Sequence, residues 1–148
     1  EIKWLRERYL GQSKKRPKKM FTPYTQRCVD AYLQELDDGI FEAHHAVGAN
    51  LAPLTARAVF LKRRLEAEVT VHETFPRVLV WRLGLLLKLN RSTLKVYRNS
   101  VGGEDARRVF LHQLTEKTGL FLYSQDQKQL VESVSAFESL ICSLAGYF

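Results

Sequence analysis

Residues 69–76 read VTVHETFP, an alternation of apolar and polar residues that stops at Pro76. A period of two places Val69, Val71 and Glu73 on one face of an extended chain and Thr70 and His72 on the other. The pattern predicts a short, half-buried strand with a carboxylate at its C-terminal end. In α/β architectures ligands collect beyond the carboxyl ends of strands, which makes Glu73 a candidate site residue. Its plain alternative is a polar, solvated strand end.

Helical patterns flank this run. Upstream, Asn50 is placed to cap a helix that tolerates Pro53 in its first turn. Leu51, Leu54, Ala58, Leu61 and Leu65 then step by three and four, which predicts a core-facing stripe. An earlier helix is expected from Thr22 or Thr25 to about Leu36, stopped by DDG at 37–39. Downstream, a helix is expected from about Arg77 to Leu86, followed by an irregular basic stretch, KLNRSTLKVYRNSVGG, at 88–103. Residues 103–119 read as a helix with Glu104 and Asp105 at its positive end and Lys117 before Gly119. LFLY at 120–123 fits either a strand or a packed connection, and Asp126 to about Tyr147 reads as one long helix.

Along that last helix, at about 100° per residue, Val131, Val134, Ile141, Cys142 and Ala145 fall within about 60° of Glu138. A carboxylate in the middle of an apolar face is costly unless it is neutralised, paired or bound to a cation. Glu138 is therefore the second candidate, either as a site carboxylate or as the partner of an arginine such as Arg57 or Arg27. Two carboxylates, one on a strand end and one on a neighbouring helix, would hold Mg²⁺ or Mn²⁺ for phosphodiester hydrolysis, because hard cations take oxygen ligands and activate water. The pair His44 and His45 is a poor ligand set, since adjacent residues point to different sides of any regular element.

Charge narrows the partners. The chain has 148 residues, 23 Lys and Arg against 16 Asp and Glu, and nine of the basic residues lie within 1–27. Beyond residue 27 the two signs balance, so the excess of +7 belongs to one segment centred on SKKRPKK at 13–19. Such a run predicts an exposed arm or loop over 11–21, with Lys14, Lys15, Arg16, Lys18 and Lys19 available to polyanions such as nucleic acid, or simply solvated. The composition, 45% hydrophobic and 26% charged, excludes a disordered or fibrous chain. Residues 78–89, the longest apolar run, are broken by Arg82 and Lys88 and fall short of the roughly 20 residues that cross a bilayer. That shortfall predicts no membrane association, and Cys28 and Cys142, which show no metal-binding or disulfide spacing, predict a reducing, cytoplasmic setting. Length predicts one domain spanning 1–148, and an opening at Glu1 inside the helix-like IKWLRERYL reads as a fragment of a larger one.

Four blocks, TPYTQRCVDAYL (22–33), AVGANLAPLTARAVFLKRRL (46–65), HETFPRVLVWRLG (72–84) and SAFESLICSLAGYF (135–148), together resemble domain-of-unknown-function family 429. The resemblance implies an α/β, ribonuclease-H-like fold and a predicted metal-dependent nuclease, a hydrolase. It matches Glu73 to the second acid of such a site, and Glu138 to a third position where the family typically has Asp. It also brings Arg57, Lys95 and Arg98 near enough to contact phosphate, and Arg27 of the basic segment is expected to bind nucleic acid with them. The first-strand Asp of the family has no counterpart here, which implies a chain short of its first strands and inactive as it stands. A missing strand would leave an exposed sheet edge open to self-association. Three functions follow from these features: a metal-dependent nuclease fold, a noncatalytic nucleic-acid-binding module, and a structural domain with a buried Glu–Arg pair.

Overall fold

The computed structural model describes residues 27, 29–30, 32–33 and 47–147. The chain divides into two compact units, Glu1–Val71 and His72–Phe148. The division falls inside the VTVHETFP stretch, so its fate decides the architecture.

That stretch forms no strand. The Val69 amide donates to the Leu65 carbonyl at 2.9 Å, which draws the first residue of the run into the turn that ends the preceding helix. At the other end Phe75 accepts from the amides of Val78 and Leu79 and begins the next helix, with Pro76 in its first turn. Residues 70–75 between them join the two units without regular structure. Alternation provides a strand with two faces but not with a partner to share its hydrogen bonds. The described residues are helical and include no strand, which overturns the α/β, ribonuclease-H-like expectation. The exposed sheet edge expected to mediate self-association falls with it, because the described residues hold no sheet.

In the first unit a 3₁₀ turn, Ala49–Leu51, leads into α1, Ala52–Leu65. Pro53 sits in the first turn as expected, where its missing N–H is no loss. Leu51, not Asn50, occupies the N-cap, and no side chain caps the helix. The leucine stripe does not face a core: Leu51, Leu54, Leu61 and Leu65 are all exposed, and α1 buries none of its residues. Helical periodicity identified the stripe correctly but could not say what lies against it.

The second unit is built from five helices: α2 (Pro76–Leu86), α3 (Arg91–Val96), α4 (Gly103–Thr118), α5 (Ser124–Glu132) and α6 (Val134–Tyr147). Each packs on its successor, and α6 returns to pack on α2, closing a ring around one core. Phe137, at 0% exposure, lies at its centre, with Phe110 edge-on at 5.2 Å and Tyr97 at 5.7 Å between ring centroids. Aromatic rings in such tilted and edge-to-face pairs bury large areas and add specific attraction. Trp81 and Val80 of α2, Leu94 of α3, Leu111 and Leu114 of α4, and Ile141 of α6 complete the core.

Local sequence explains the joints. Helix α2 ends with Lys88 at φ 62°, its amide donating to the Leu85 carbonyl and the Leu89 amide donating to Gly84. This is a Schellman turn with lysine where glycine is usual. Gly84 lets α3 approach, since an added Cβ would overlap the Leu94 side chain. The expected helix at 103–119 forms as Gly103–Thr118, with Gly119 at φ 70° stopping it and Glu104 and Asp105 in the first turn. LFLY becomes a connection in which Phe121 and Tyr123 are exposed and pair edge-on at 5.0 Å.

The expected long C-terminal helix is two helices. Ser133 is extended, at φ −106° and ψ 115°, and its Oγ accepts from the Ala136 amide at 3.2 Å, so it ends α5 and caps α6. Val131 and Glu138 therefore do not share one helical wheel. In α6 burial centres on Phe137 and Ile141, and Glu138 lies at the edge of that face, with a side chain 15% exposed.

Candidate nucleic-acid interface

Between Lys88 and Gly103 the chain holds four basic residues and no acidic one. The short helix α3 sorts this stretch into two sides. Leu94 and Tyr97, three apart, turn inward and are buried, whereas Lys88, Arg91, Lys95 and Arg98 are all exposed. At about 100° per residue Arg91, Lys95 and Arg98 fall within about 60° of one another. Tyr97 keeps helical backbone angles as the C-cap, which carries the row on to Arg98, two residues beyond α3.

Two of these cations are anchored to the core. The Arg91 guanidinium lies 5.9 Å from the Trp81 ring centroid, a cation–π arrangement that orders its long stem. Arg98 Nε lies 3.2 Å from Glu138 Oε1. Lys88 and Lys95 have no ion-pair partner among the described residues.

Glu138 thus has a definite local role. The same Oε1 that meets Arg98 accepts the Tyr97 hydroxyl at 2.8 Å. Burial, and then the hydrogen bond and charge of Glu138, raise the Tyr97 phenol well above its ordinary range. Phenol, carboxylate and guanidinium tie the end of α3 to α6, and the arginine concerned is Arg98 rather than Arg57 or Arg27.

The same end of α3 is held from beneath by Arg107, a residue the sequence reading passed over. Arg107 is 3% exposed, donates from Nε to the Val131 carbonyl at 2.6 Å and donates from Nη1 to the Tyr97 carbonyl. Both acceptors lie at the C-terminal ends of helices, where carbonyls are unpaired and the helix dipole is negative. A buried cation is satisfied there without a carboxylate. Its signal was present in the sequence: Arg107 continues the inward row of Gly103, Phe110, Leu111 and Leu114 at helical spacing.

The other expected site residues lie on other segments. Glu73 is exposed, in the irregular segment before α2. Arg27 forms a fork on Asp30, with Nε to Oδ2 at 3.0 Å and Nη2 to Oδ1 at 2.9 Å. Arg57 is exposed on α1 in the first unit. Lys14, Lys15, Arg16, Lys18 and Lys19, and with them the whole 11–21 arm, lie outside the described residues, as do His44 and His45. A Mg²⁺ or Mn²⁺ nuclease centre requires several oxygen ligands. Among the described residues no group of three or more His, Cys, Asp or Glu side chains is placed to hold a metal ion.

Comparison with protein-family models, with curated proteins and with solved structures returns no match to this chain. The resemblance to domain-of-unknown-function family 429 rests on the quoted sequence blocks alone. No helix of the described residues is long and apolar enough to cross a membrane.

Proposed function

We propose that the chain is a noncatalytic nucleic-acid-binding module whose second unit meets the phosphate backbone through Lys88, Arg91, Lys95 and Arg98. The supporting observation is the exposed basic row of α3 in a stretch without a single acidic residue. Cations at this spacing neutralise phosphates and release counterions, which provides affinity without reading bases. Lys14, Lys15, Arg16, Lys18 and Lys19 add to the same electrostatic attraction as a second contact. Glu138 is a structural residue in this reading: its Oε1 is committed to Tyr97 and Arg98, and it orders the row rather than a metal. Weak sequence selectivity is the corollary.

The test is a mobility-shift titration with unrelated sequences of single-stranded RNA, single-stranded DNA and duplex DNA, each incubated in parallel with Mg²⁺ or Mn²⁺. Binding of every sequence, with intact nucleic acid recovered, is the expected result. Absence of binding overturns the module, and cleavage that disappears in Glu138→Ala restores the nuclease.

A further inference from the structure

Helix α1 leaves Leu54 at 63% exposure and Leu61 and Leu65 above 40% in one row, whereas Val59 and Phe60, also exposed, lie about 140° and 120° from Leu54, outside that row. At about 100° per residue Leu61 and Leu65 fall within about 20° of Leu54, while Arg57 and Arg64 border one side of that row and Lys62 the other, each about 60 to 80° away. The helix contains four basic residues and no acidic one. Lys62 shares its charge with Glu66 just beyond the helix, at 3.3 Å, and the Arg64 guanidinium lies 5.8 Å from the Phe60 ring. Arg57, Arg63 and Arg64 have no ion-pair partner among the described residues.

We infer that α1 is an interfacial helix that lies flat on an anionic lipid surface, its leucine row in the acyl boundary and its flanking cations among the headgroups. Charge complementarity selects this occupant. A second copy would set four cations against four cations with no acid in either helix to pair them. Nucleic acid would satisfy the cations and leave the leucines in water. An anionic bilayer satisfies both, because Arg and Lys stems lie along apolar surface while their heads reach the phosphates. Fourteen residues span about 21 Å, too short to cross the roughly 30 Å hydrocarbon layer and suited to lying in its plane. The inference concerns the first unit and is independent of the basic row on α3.

The experiment is vesicle co-sedimentation of the full chain, alone and with Lys14, Lys15, Arg16, Lys18 and Lys19 neutralised, so that the arm does not supply the attraction. Phosphatidylcholine vesicles containing phosphatidylglycerol are expected to bind both forms, and phosphatidylcholine alone much less. The triple change Leu54→Ser, Leu61→Ser and Leu65→Ser is expected to lower partitioning by about a hundredfold, with an unaltered circular dichroism spectrum because these positions are exposed. Arg57→Gln with Arg64→Gln is expected to weaken binding to the anionic vesicles selectively. The inference is overturned by absence of binding, by equal binding to neutral vesicles, or by full binding of the serine variant, which would mean charge adsorption alone. It is equally overturned by a lipid-free dimer that the serine changes dissociate, or by tighter binding to an acidic amphipathic peptide than to the vesicles.

Discussion

Glu138 Oε1 accepts the Tyr97 hydroxyl at 2.8 Å, joining residues 41 positions apart across the core of the second unit. Replacing Glu138 by Ala leaves a buried phenol without its acceptor and removes the counter-charge of Arg98. A loss of about 2 kcal/mol in urea unfolding is expected, since hydrogen bonds to charged groups contribute about 1.5–3 kcal/mol. Glu138→Gln, which keeps an acceptor, should lose less than half of that. Equal stability of wild type and Glu138→Ala would mean that the contact does not hold α3 in place.

The raised Tyr97 phenol makes part of this stability pH-dependent. Its folded-state pKa lies above the unfolded value of about 10, so its contribution is fully present below about pH 10 and is lost as pH rises toward the folded value. Stability should therefore decline above about pH 10, more steeply in wild type than in Tyr97→Phe. Thermal unfolding midpoints of the two proteins across neutral to alkaline pH measure the difference. Parallel profiles would contradict the assignment.

Arg107 was the least legible structural residue, and it makes the larger claim on stability. Arg107→Met fills much of the same volume but abandons the carbonyls of Tyr97 and Val131 in a buried site. A cost of about 2–4 kcal/mol is expected, because each unsatisfied buried group costs about 1–3 kcal/mol. Arg107→Lys, which keeps the charge without the planar fork, should recover only part of it. Denaturant midpoints at constant m-value provide the comparison.

How much of the structure could be read from sequence depended on whether the signal was local. The helix Gly103–Thr118 was legible at both ends because glycine, early acids and a late lysine act on their own turns. Pro53 and Pro76 likewise marked helix starts. The strand at 69–73 was misread because alternation is necessary for a strand but not sufficient without a pairing partner. The break at Ser133 is invisible to a wheel drawn through 126–147, which presupposes continuity, but it removes only Val131 from the wheel of Glu138; Glu138 lies at the edge because burial in α6 centres on Phe137 and Ile141 while Ala145 is exposed. That Glu138 would be paired with an arginine was among the open readings; that the arginine is Arg98 depends on how α3 crosses the unit, which no local pattern encodes.

Lys88 offers a stabilising substitution. Its φ of 62° lies in the left-handed region, which costs an L residue with a Cβ about 1 kcal/mol or more and costs glycine almost nothing. Lys88→Gly should raise stability by up to about 1 kcal/mol, offset in part by the greater freedom of the unfolded chain. Lys88→Ala should not, and thermal midpoints of the three proteins separate these outcomes.

The basic row of α3 is the proposed phosphate contact, and the salt dependence of nucleic-acid binding tests it. With log Kobs for a duplex measured against log salt, neutralising Lys88, Arg91 and Lys95 to Gln should flatten the slope by about two to three, since each phosphate contact contributes about 0.9. Arg98 is left in place so that the link to Glu138 stays intact. A flatter slope with an unchanged circular dichroism spectrum is the predicted result, and an unchanged slope would contradict the assignment of this face to the phosphate backbone.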